Sequence, residues 1–400
     1  MKSNNIKILD NDWMEVPFSY MAEHISKRVD PKDTNLDIYI GLEHIDPGSL
    51  KIKRYGKPDD VKGTKLIAQP GDIIFGKRRA YQGKVGVCEW DAIVSAHSMV
   101  LRPKEENIEK DFLKFFMQSE EFYNRSIQIS EGSLSPTIKW KVLEEQRFII
   151  PSKYKQKNIV SKVSKLDNLI NQNIDVLEKA NIYRKKLIKN LLEDRIVKNE
   201  EFKYVKISDV ANISRGISWG KEDEFNANEN NNRVRVYKIP NIPSNSRYQS
   251  DDEKTYITRP NNIEKYFVEN NDLLMVSANG NPDRVGNLVK VRKSEEAVFA
   301  SFLLKIQPKN GINPDFLYYQ LVSDIVQKKI TEGSRGSTGL KNINVPHMNN
   351  IKIKLPNIKE QENIVKLLEE IDCIIENINT KIEYTYKLKL NLFKYYTNNR

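Results

Sequence analysis

Cysteine and histidine, the side chains that most often build disulfides and metal sites, are scarce in this sequence. The 400 residues include two cysteines, Cys88 and Cys373, and four histidines. The two cysteines give neither a disulfide framework nor a zinc-ligand spacing, so we interpret both as buried thiols. No histidine is paired at ligand spacing with another histidine, a cysteine or a carboxylate, so the sequence predicts no metal site.

Long apolar runs are absent as well. No stretch approaches the ~20 apolar residues of a membrane-spanning helix, and the polar start MKSNNIKILDND lacks the apolar centre of a signal peptide. These absences predict a soluble cytoplasmic protein. A chain of 400 residues is long enough for two to three domains, each with its own core.

Motifs of catalysis are also missing. The run EGSRGSTGLK contains glycines but lacks the lysine and hydroxyl residue that end a phosphate-binding loop. The tetrapeptide NPDR at 281–284 lacks the aromatic fourth residue expected of an amino-methylating active site. We therefore predict a non-catalytic chain that carries no cofactor of its own.

Positive charge is plentiful. The net charge is +11, from 65 Lys and Arg against 54 Asp and Glu, and the sequence pI is near 9.2. Such a field attracts polyanions, nucleic acids among them. Asn- and Lys-rich chains from AT-rich genomes are often basic without binding nucleic acid, so composition alone leaves both interpretations open.

An internal repeat is the most informative feature of the chain. Residues 142–196 and 347–400 both contain a short apolar run, a proline and a long amphipathic helix pattern. The stretches FIIPSKYKQKNIV and IKLPNIKEQENIV align at a constant offset of 205 residues, which places Pro151 on Pro356 and Gln156 on Gln361. We interpret the repeat as a duplication.

The two predicted helices share one apolar stripe with steps of three and four residues. This spacing is typical of a helix that packs against another helix rather than against a broad core. A parallel pair of ~60 Å helices would force residues 200–350 to return the chain over that whole length, so we predict an antiparallel pair with an approximate two-fold axis. The residues of this helix-helix seam are Ile159, Val163, Leu166, Ile170, Leu177, Leu187, Ile364, Leu368, Ile371, Ile375, Ile382 and Leu392.

The segments that precede the two helices also match. GDIIFGKRR from Gly71 resembles NDLLMVSAN from Asn271, and SAHSMVLRP from Ser95 resembles ASFLLKIQP from Ala300. Short β-rich runs between turn residues, with one helix near 109–130 and another near 313–331, predict two similar domains. The predicted fold class is therefore α+β, with two mixed α/β domains joined by two long antiparallel coiled-coil helices.

Two loops in each predicted domain are rich in side chains that bind nucleic acids. Arg and Lys donate to guanine edges and phosphates, Asn and Gln match adenine, and small hydroxyl residues let the backbone approach a phosphate. A single such residue is more often part of a solvated turn, but the matched position of these loops after a duplicated strand favours a functional role. The predicted DNA-binding residues are Lys77, Arg78, Arg79, Gln82, Lys84, Ser133, Ser135, Thr137 and Lys139 in the first domain, and Ser277, Asn279, Asn281, Arg284, Ser334, Arg335, Ser337, Thr338 and Lys341 in the second.

Two unlike domains, each followed by a repeated helix with a proline and a Gln-x-x-Ile-Val step, resemble the DNA-specificity (S) subunit of type I restriction-modification systems. GDIIFGKRRAYQGKVGV, IVSAHSMVLRP and EGSLSPTIKWKVLEEQRFIIP are similar to stretches of the target-recognition domains of that family. The acid and glutamine that open the family's helix stand as Glu360-Gln361, whereas the first copy departs with Lys155-Gln156.

This resemblance implies a division of the chain into four parts. Residues 1–150 and 199–355 would be target-recognition domains, each reading one half of an asymmetric gapped DNA sequence. Residues 151–198 and 356–400 would be spacer helices that set the gap and dock two modification subunits. Those partners would bind S-adenosylmethionine and methylate adenine, and restriction subunits that use ATP and Mg would translocate and cut the DNA.

Two alternatives remain open at the level of sequence. The chain is also compatible with the specificity half of a two-subunit restriction-methylation enzyme without a separate translocase. A non-DNA adaptor, with two domains on a coiled coil, is a third interpretation, and the Arg, Asn and hydroxyl content of the loops speaks modestly against it.

Overall fold

The protein is described from a computed structural model, which covers residues 6–9, 12–194, 203–227, 232–244, 246–332 and 341–398. The chain divides into two compact units. The first consists of Met1–Leu177 with Ile378–Arg400, and the second consists of Glu178–Asn377. Each unit therefore combines one globular part with segments of both long helices.

Among its described residues, the first globular part contains three small sheets, with strand orders β1-β2-β11, β3-β10-β7-β8 and β4-β6-β9-β5. In chain order, its elements and the long helix that follows are β1 (Lys7–Ile8), β2 (Trp13–Pro17), α1 (Phe18–Met21), β3 (Ala22–Ile25), β4 (Arg28–Val29), β5 (Tyr39–Ile40), β6 (Lys65–Ala68), β7 (Ile73–Phe75), β8 (Val85–Val87), β9 (Ala92–Val94), β10 (Met99–Pro103), α2 (Phe112–Phe116), α3 (Glu120–Gln128), α4 (Trp140–Leu143), β11 (Arg147–Pro151) and α5 (Lys153–Lys189).

The second globular part contains sheets with strand orders β12-β23, β13-β21-β17-β19, β14-β16-β15-β20 and β18-β22. In chain order, its elements and the final helix are β12 (Lys203–Lys206), α6 (Ile207–Val210), β13 (Ala211–Arg215), β14 (Glu224–Phe225), β15 (Arg233–Tyr237), β16 (Thr255–Thr258), β17 (Leu273–Val276), β18 (Ala278–Asn279), β19 (Leu288–Lys290), β20 (Ala297–Phe299), β21 (Leu303–Pro308), α7 (Pro314–Val322), α8 (Asp324–Glu332), β22 (Lys341–Asn342), α9 (Val345–Asn350), β23 (Lys352–Leu355) and α10 (Ile358–Asn398).

We call β3-β10-β7-β8 and β13-β21-β17-β19 the central sheets of the two units, and their strands β7 and β17 are apolar throughout. The strand β7 shows why. Its side chains alternate between two cores, because successive residues of a strand point to opposite faces of the sheet. Ile73 and Phe75 belong to the core beneath α2 and α3, whereas Ile74 belongs to a second core against the sheet β4-β6-β9-β5. In β17, Leu273 and Leu274 divide between two cores in the same way.

The central sheets of the two units have the same register. Leu101 of β10 lies opposite Ile73, and Ile306 of β21 lies opposite Leu273. These positions are the ones that the sequence repeat aligns. The predicted fold class of mixed domains with an internal repeat is confirmed.

The remaining four-stranded sheets are connected differently. In the first unit β9 lies between β6 and β5, whereas in the second unit β15 lies between β16 and β20. The second unit also brings the chain at Gly216 so close to β20 that a Cβ there would lie 2.1 Å from the carbonyl oxygen of Phe299. The duplication therefore preserved the central sheet, while the neighbouring sheet diverged.

The helices predicted near 109–130 and 313–331 are each divided in two. The first is α2 and α3, and the break lies at Ser119, whose hydroxyl accepts from the N–H of Phe122 and starts α3. The second is α7 and α8, interrupted by the extended residue Ser323. Ser, Thr, Asn and Asp start helices in this way because their side chains replace a missing backbone acceptor.

The long helices run antiparallel within each unit. In the first, Lys162 contacts Tyr396 and Asp167 contacts Lys389, so the residue numbers rise on α5 as they fall on α10. In the second, Arg184 pairs with Asp372. The antiparallel arrangement is confirmed.

The predicted seam stripe does not face a helix along its whole length. Near the ends of each long helix, the stripe residues pack into the core of a globular part, because the helix adjoins that part there. Ile159, Val163 and Leu392 pack in the core of the first unit, and Leu187, Ile364 and Leu368 in that of the second. Of the other seam residues, Ile170 and Ile371 are buried, and Leu166, Leu177, Ile375 and Ile382 are half-buried.

The two cysteines differ from each other. Cys88 is buried, and burial raises the pKa of its thiol to about 11. Cys373 is exposed on α10, so the prediction of two buried thiols is wrong for this residue. Among the described residues, no helix is long and apolar enough to cross a membrane, and no cluster of potential metal ligands occurs.

Candidate nucleic-acid interface

Two loops that are far apart in sequence meet in the first unit. The N–H of Ile138 donates to the carbonyl of Lys77 at 3.0 Å, and the N–H of Arg79 donates to that of Pro136 at 2.7 Å. Arg78 and Thr137 form an isolated antiparallel bridge. The structure therefore joins residues 77–84 and 131–139, the two loops predicted to bind DNA, into one surface.

The second unit joins its loops in the same way. The N–H of Ile343 donates to the carbonyl of Ser277 at 2.8 Å, which matches the bond from Ile138 to Lys77. Beyond this bond, β18 pairs with β22, with Asn279 opposite Lys341. Arg215 of β13 donates to the carbonyl of Ile343 at 3.1 Å and holds the loop against the central sheet.

Basic side chains surround the loops of the first unit, and we call Arg28, Lys77, Arg78, His24 and His97 the basic cluster. Burial and then Arg28 lower the pKa of Lys77. Burial and then Lys77 lower the pKa of His24, and burial followed by Arg78 and Lys77 lowers the pKa of His97. Mutual repulsion of this kind marks a positive potential, which attracts phosphates.

Geometry within the basic cluster is well defined. The guanidinium of Arg78 lies 3.2 Å from Nε2 of His97. The ring of His24 stacks on Trp140 with centroids 5.2 Å apart. The exposed Arg79 has a positive φ of 56°, and its Nε donates to Oγ of Ser135 at 3.2 Å.

Other predicted residues of the first unit are occupied in local contacts. Lys84 donates to the carbonyl of Leu42 at 2.6 Å, and Lys139 pairs with Glu131 at 2.6 Å. The hydroxyl of Thr137 donates to the carbonyl of Ser135. Gln82 is half-buried and Ser133 is exposed on the loop surface.

The prediction needs correction for Ser277 and Arg284 of the second unit. Ser277 is fully buried, because it directly follows the buried apolar strand β17. Arg284 is directed inward, where it donates to the carbonyls of Ile239 and Ile242 at 3.0 and 2.9 Å. Neither side chain is presented to a ligand in this structure.

Asn279 and Asn281 shape their own loop. The side-chain oxygen of Asn279 accepts from the N–H of Asn281 at 2.7 Å, and that of Asn281 accepts from the N–H of Asp283 at 3.0 Å. Among the residues that the structure describes, neither amide nitrogen has a hydrogen-bond acceptor. The predicted residues Ser334, Arg335, Ser337 and Thr338 lie outside the described residues, and only the backbone of Lys341 is described.

Sequence reasoning missed four residues of this surface. Arg28, His24 and His97 come from β4, β3 and the turn before β10, so only the folded sheet brings them to the loops. Leu134 at the tip of the second loop is 92% exposed. The position of His97 inside the duplicated stretch SAHSMVLRP was the available signal.

The duplicated arrangement of sheet, loops and helix agrees with a known family. The sequence model of the "Type I restriction modification DNA specificity domain" matches residues 11–179 and 199–384. The chain belongs to this family. Each match covers one globular part and most of the helix that follows it.

Two curated specificity subunits are similar over nearly the whole chain. The type I restriction enzyme MjaVIII specificity subunit of Methanocaldococcus jannaschii is 24% identical, over 94% of this chain and 90% of its own. The putative MjaX specificity subunit of the same organism is 26% identical, over 87% and 83%. The specificity chain described here is therefore a DNA sequence-recognition subunit of a type I restriction-modification system, not its catalytic part.

Solved structures agree in fold. The S subunit of a type I system from M. genitalium has a TM-score of 0.54 and 14% identity, and the match covers 99% of this chain and 98% of that one. A chain solved in work on complex assembly and conformational transition of the type I system also has a TM-score of 0.54, with 16% identity, over 98% and 100%. At these identities the likeness supports the fold alone.

Proposed function

We propose that the two domains of this recognition subunit read different halves of one asymmetric, gapped DNA sequence. In this proposal residues 1–150 and 199–355 are the recognition domains, and residues 151–198 and 356–400 are the spacer helices. The observation that carries it is the paired loop geometry. Both units join their loops with the same backbone bond next to a sheet of the same register, yet the loop side chains differ.

The first domain reads DNA through the basic cluster and Arg79. Lys77 and Arg28 neutralise phosphates and position the domain, and Arg78 and Arg79 supply paired donors that match O6 and N7 of guanine. Because His97 lies beside Arg78, its ring contributes to the same contact region.

The second domain reads its half-site with loop side chains that carry less positive charge than those of the first domain. Asn279 and Asn281 stand where the first domain has Arg79 and Tyr81, and their amide groups match the donor and acceptor pair of adenine. Arg215 acts behind the surface by holding β22 and its neighbours in place.

The helices separate the two domains and dock two modification subunits. Exposed apolar side chains on α10 support docking: Leu367, Ile374, Leu388 and Tyr395 are 44%, 51%, 42% and 60% exposed. They recur at multiples of seven residues, the spacing of a stripe that packs against another helix. We further propose that these partners methylate adenine with S-adenosylmethionine, and that restriction subunits using ATP and Mg join them on DNA in the cytoplasm.

A domain exchange tests the proposal. Residues 199–355 are replaced by the corresponding domain of another specificity subunit, and methylated adenines are mapped in a strain that carries the complete system. We expect one half of the methylated sequence to change while the other half and the gap persist. A change in both halves would contradict the two-reader proposal, and exchange of residues 1–150 serves as the reciprocal control.

A further inference from the structure

A buried polar group connects the long helices to the first domain. Nζ of Lys389 on α10 donates to Asp167 of α5 and to Oε1 of Gln118, both at 2.8 Å. The side chain of Lys389 is 3% exposed and that of Asp167 is 15% exposed. Gln118 follows α2 and belongs to the globular part, so these three residues, the first polar triad, tie both helices to the domain.

The second unit contains a matching group. Arg184 of α5 pairs with Asp372 of α10, and Asp372 accepts from the hydroxyl of Tyr319 on α7 at 2.8 Å. We call Arg184, Asp372 and Tyr319 the second polar triad. Burial raises the pKa of Tyr319, which keeps its hydroxyl protonated as a donor.

The two ion pairs occupy equivalent positions of the repeat. Asp167 and Asp372 are 205 residues apart, and so are Arg184 and Lys389. The first triad takes its acid from α5 and its base from α10, and the second takes them in reverse. Duplication explains this reversal, because each helix carries the acid before the base and the two helices run antiparallel.

Each triad continues into a loop, which lies between β5 and β6 in the first unit and between β15 and β16 in the second. In the first unit, Nε2 of Gln118 donates to the carbonyl of Gly48 at 3.1 Å. In the second, Arg247 donates to Tyr319 at 3.1 Å. The segments are equivalent, because the N–H groups of Val87 and Lys290 donate to the carbonyls of Leu50 and Arg247 in the same way.

Stability alone does not account for these groups. A buried ion pair loses hydration that its attraction barely repays, so apolar residues of similar size often give equal stability. Burial lowers the pKa of Lys389, which reflects this loss of hydration. A single polar residue in an apolar helix seam is best known for fixing register, because a shifted register leaves it unpaired.

We infer that the two polar triads are positioning residues that fix the register of each domain on the helix pair and thereby the spacing between the two DNA half-sites. The inference rests on the proposed function, in which the helices set that spacing. A slipped register would leave a buried charge without its partner, so each triad permits one placement of its domain.

The test removes the ion pair of the first triad without leaving a lone charge. Asp167→Asn with Lys389→Met is introduced into the complete system, and methylated adenines are mapped at sites with the normal spacer and with spacers one base pair longer or shorter. We expect the preference for the normal spacer to fall about tenfold, within the range of measured pair couplings, while both half-sites are still read.

Two control variants and a second test variant separate an effect on positioning from an effect on stability. Lys389→Arg, which copies Arg184, should keep the normal spacer preference. Ile170→Val removes a buried methylene from the seam and should lower thermal stability with the spacer unchanged. Gln118→Leu leaves the ion pair intact and breaks only the domain contact, so it should relax the spacer preference even if the double variant folds poorly.

Two outcomes would overturn the inference. One is a folded double variant with the normal spacer preference, and the other is an unchanged preference in Gln118→Leu. Failure of the proposed function would look different, because the wild-type protein itself would then show no fixed gap or the domain exchange would alter both half-sites.

Discussion

Arg79 holds a backbone conformation that few residues other than glycine adopt. Its φ of 56° is maintained by the bond from its N–H to Pro136 and from its Nε to Ser135. Left-handed backbone at a non-glycine residue carries strain, and such strain is concentrated at functional sites. The conformation places an exposed guanidinium at the junction of the two loops.

We predict that Arg78→Ala and Arg79→Ala weaken DNA binding by the assembled complex. Each lost phosphate contact should make the slope of log affinity against log salt concentration shallower by about 0.9. Titration of labelled DNA at several salt concentrations measures both quantities. Lys110→Ala is the control, since this exposed lysine follows the opposite end of β10. Unchanged affinity and salt slope would remove the arginines from the interface.

Protonation of His97 should couple DNA binding to pH. Burial, Arg78 and Lys77 lower its pKa in the free protein, so the ring is mostly neutral above pH 6.5. A phosphate nearby would raise that pKa, and binding would take up a proton. We therefore expect affinity to increase between pH 8 and pH 6 by about two- to tenfold. In His97→Gln this increase should be smaller, whereas His347→Gln in α9 should behave as wild type.

Asp272 should make the stability of the second unit depend on pH. Burial raises the pKa of this carboxyl to about 6, because Lys305 at 3.7 Å compensates only in part. A raised folded-state pKa favours folding at low pH, and this stabilisation is lost as the pH rises through about 6. The free energy of unfolding should fall by up to about 3 kcal/mol between pH 4 and pH 8.

Hydrogen exchange of β17 amides at several pH values measures this dependence for the second unit alone. Asp272→Asn should flatten it. Asp72→Asn changes the equivalent residue of the first unit, which instead pairs with Arg102 at 2.8 Å, and should leave the pH dependence of β17 as it was. A wild-type protein whose β17 amides show no fall in stability between pH 4 and pH 8 would contradict the prediction.

Single residues were the hardest part of the site to predict. Loop composition predicts a DNA-binding surface around Arg78 and Arg79, and this stays a prediction. A serine or arginine in a loop can also face inward, as Ser277 and Arg284 do. His97 was missed because its proximity to Arg78 depends on packing between distant strands. The composition of a loop shows which polar side chains it contains, whereas the fold determines which of them are exposed to a ligand.

At the scale of elements, the start of each long helix is held by a buried glutamine. Oε1 of Gln361 accepts from the N–H of Asn313 at 2.9 Å, and its Nε2 donates to the carbonyl of Pro356 at 3.0 Å. Gln156 makes the equivalent bonds to Glu109 and Pro151, both at 2.8 Å. The repeat preserved these glutamines because each pairs with a buried carbonyl and with a part-buried N–H.

We predict that Gln361→Ala destabilises the second unit by about 2–4 kcal/mol, since the buried carbonyl of Pro356 would lose its partner at about 1–3 kcal/mol and the part-buried N–H of Asn313 would lose its own at about 1 kcal/mol. Denaturation followed by hydrogen exchange in α7 and β23 measures the change. Glu362→Ala alters the exposed neighbour and should change stability by less than about 0.5 kcal/mol. Equal stability of both variants would mean that the glutamine is not a structural anchor.

Elements differed in how well the sequence predicted them. The strands around β7 and β17 and both long helices follow from apolar runs and heptad spacing. The break between α2 and α3 depends on one capping serine, and the order of β5, β6 and β9 depends on contacts distant in sequence. The periodicity of apolar residues predicts which face of a strand or helix is buried, but it does not predict which strands pair with each other.

At the scale of the whole molecule, the repeat separates conserved structure from variable recognition. The central sheet, the glutamine anchors and the ion pairs recur at matched positions, while the loops and the neighbouring sheet differ. The sequence alone predicted this division because duplication leaves matched stretches in the same order along both halves. In the sequence, the acids and the bases of the two triads are each 205 residues apart. Only the contacts between the antiparallel helices show which acid pairs with which base.

Helix length should set the distance between the half-sites. Seven residues inserted after Leu177 and seven at the facing position of α10 would lengthen the pair by ~10 Å, or about three base pairs of DNA. We expect methylation to move to longer spacers and its level to fall, because three base pairs are about a third of a helical turn and rotate one half-site away from its domain. Lys179→Ala keeps the length and should keep the spacer. Methylated-adenine maps that retain the original spacing in the insertion variant would reject the helix pair as the ruler.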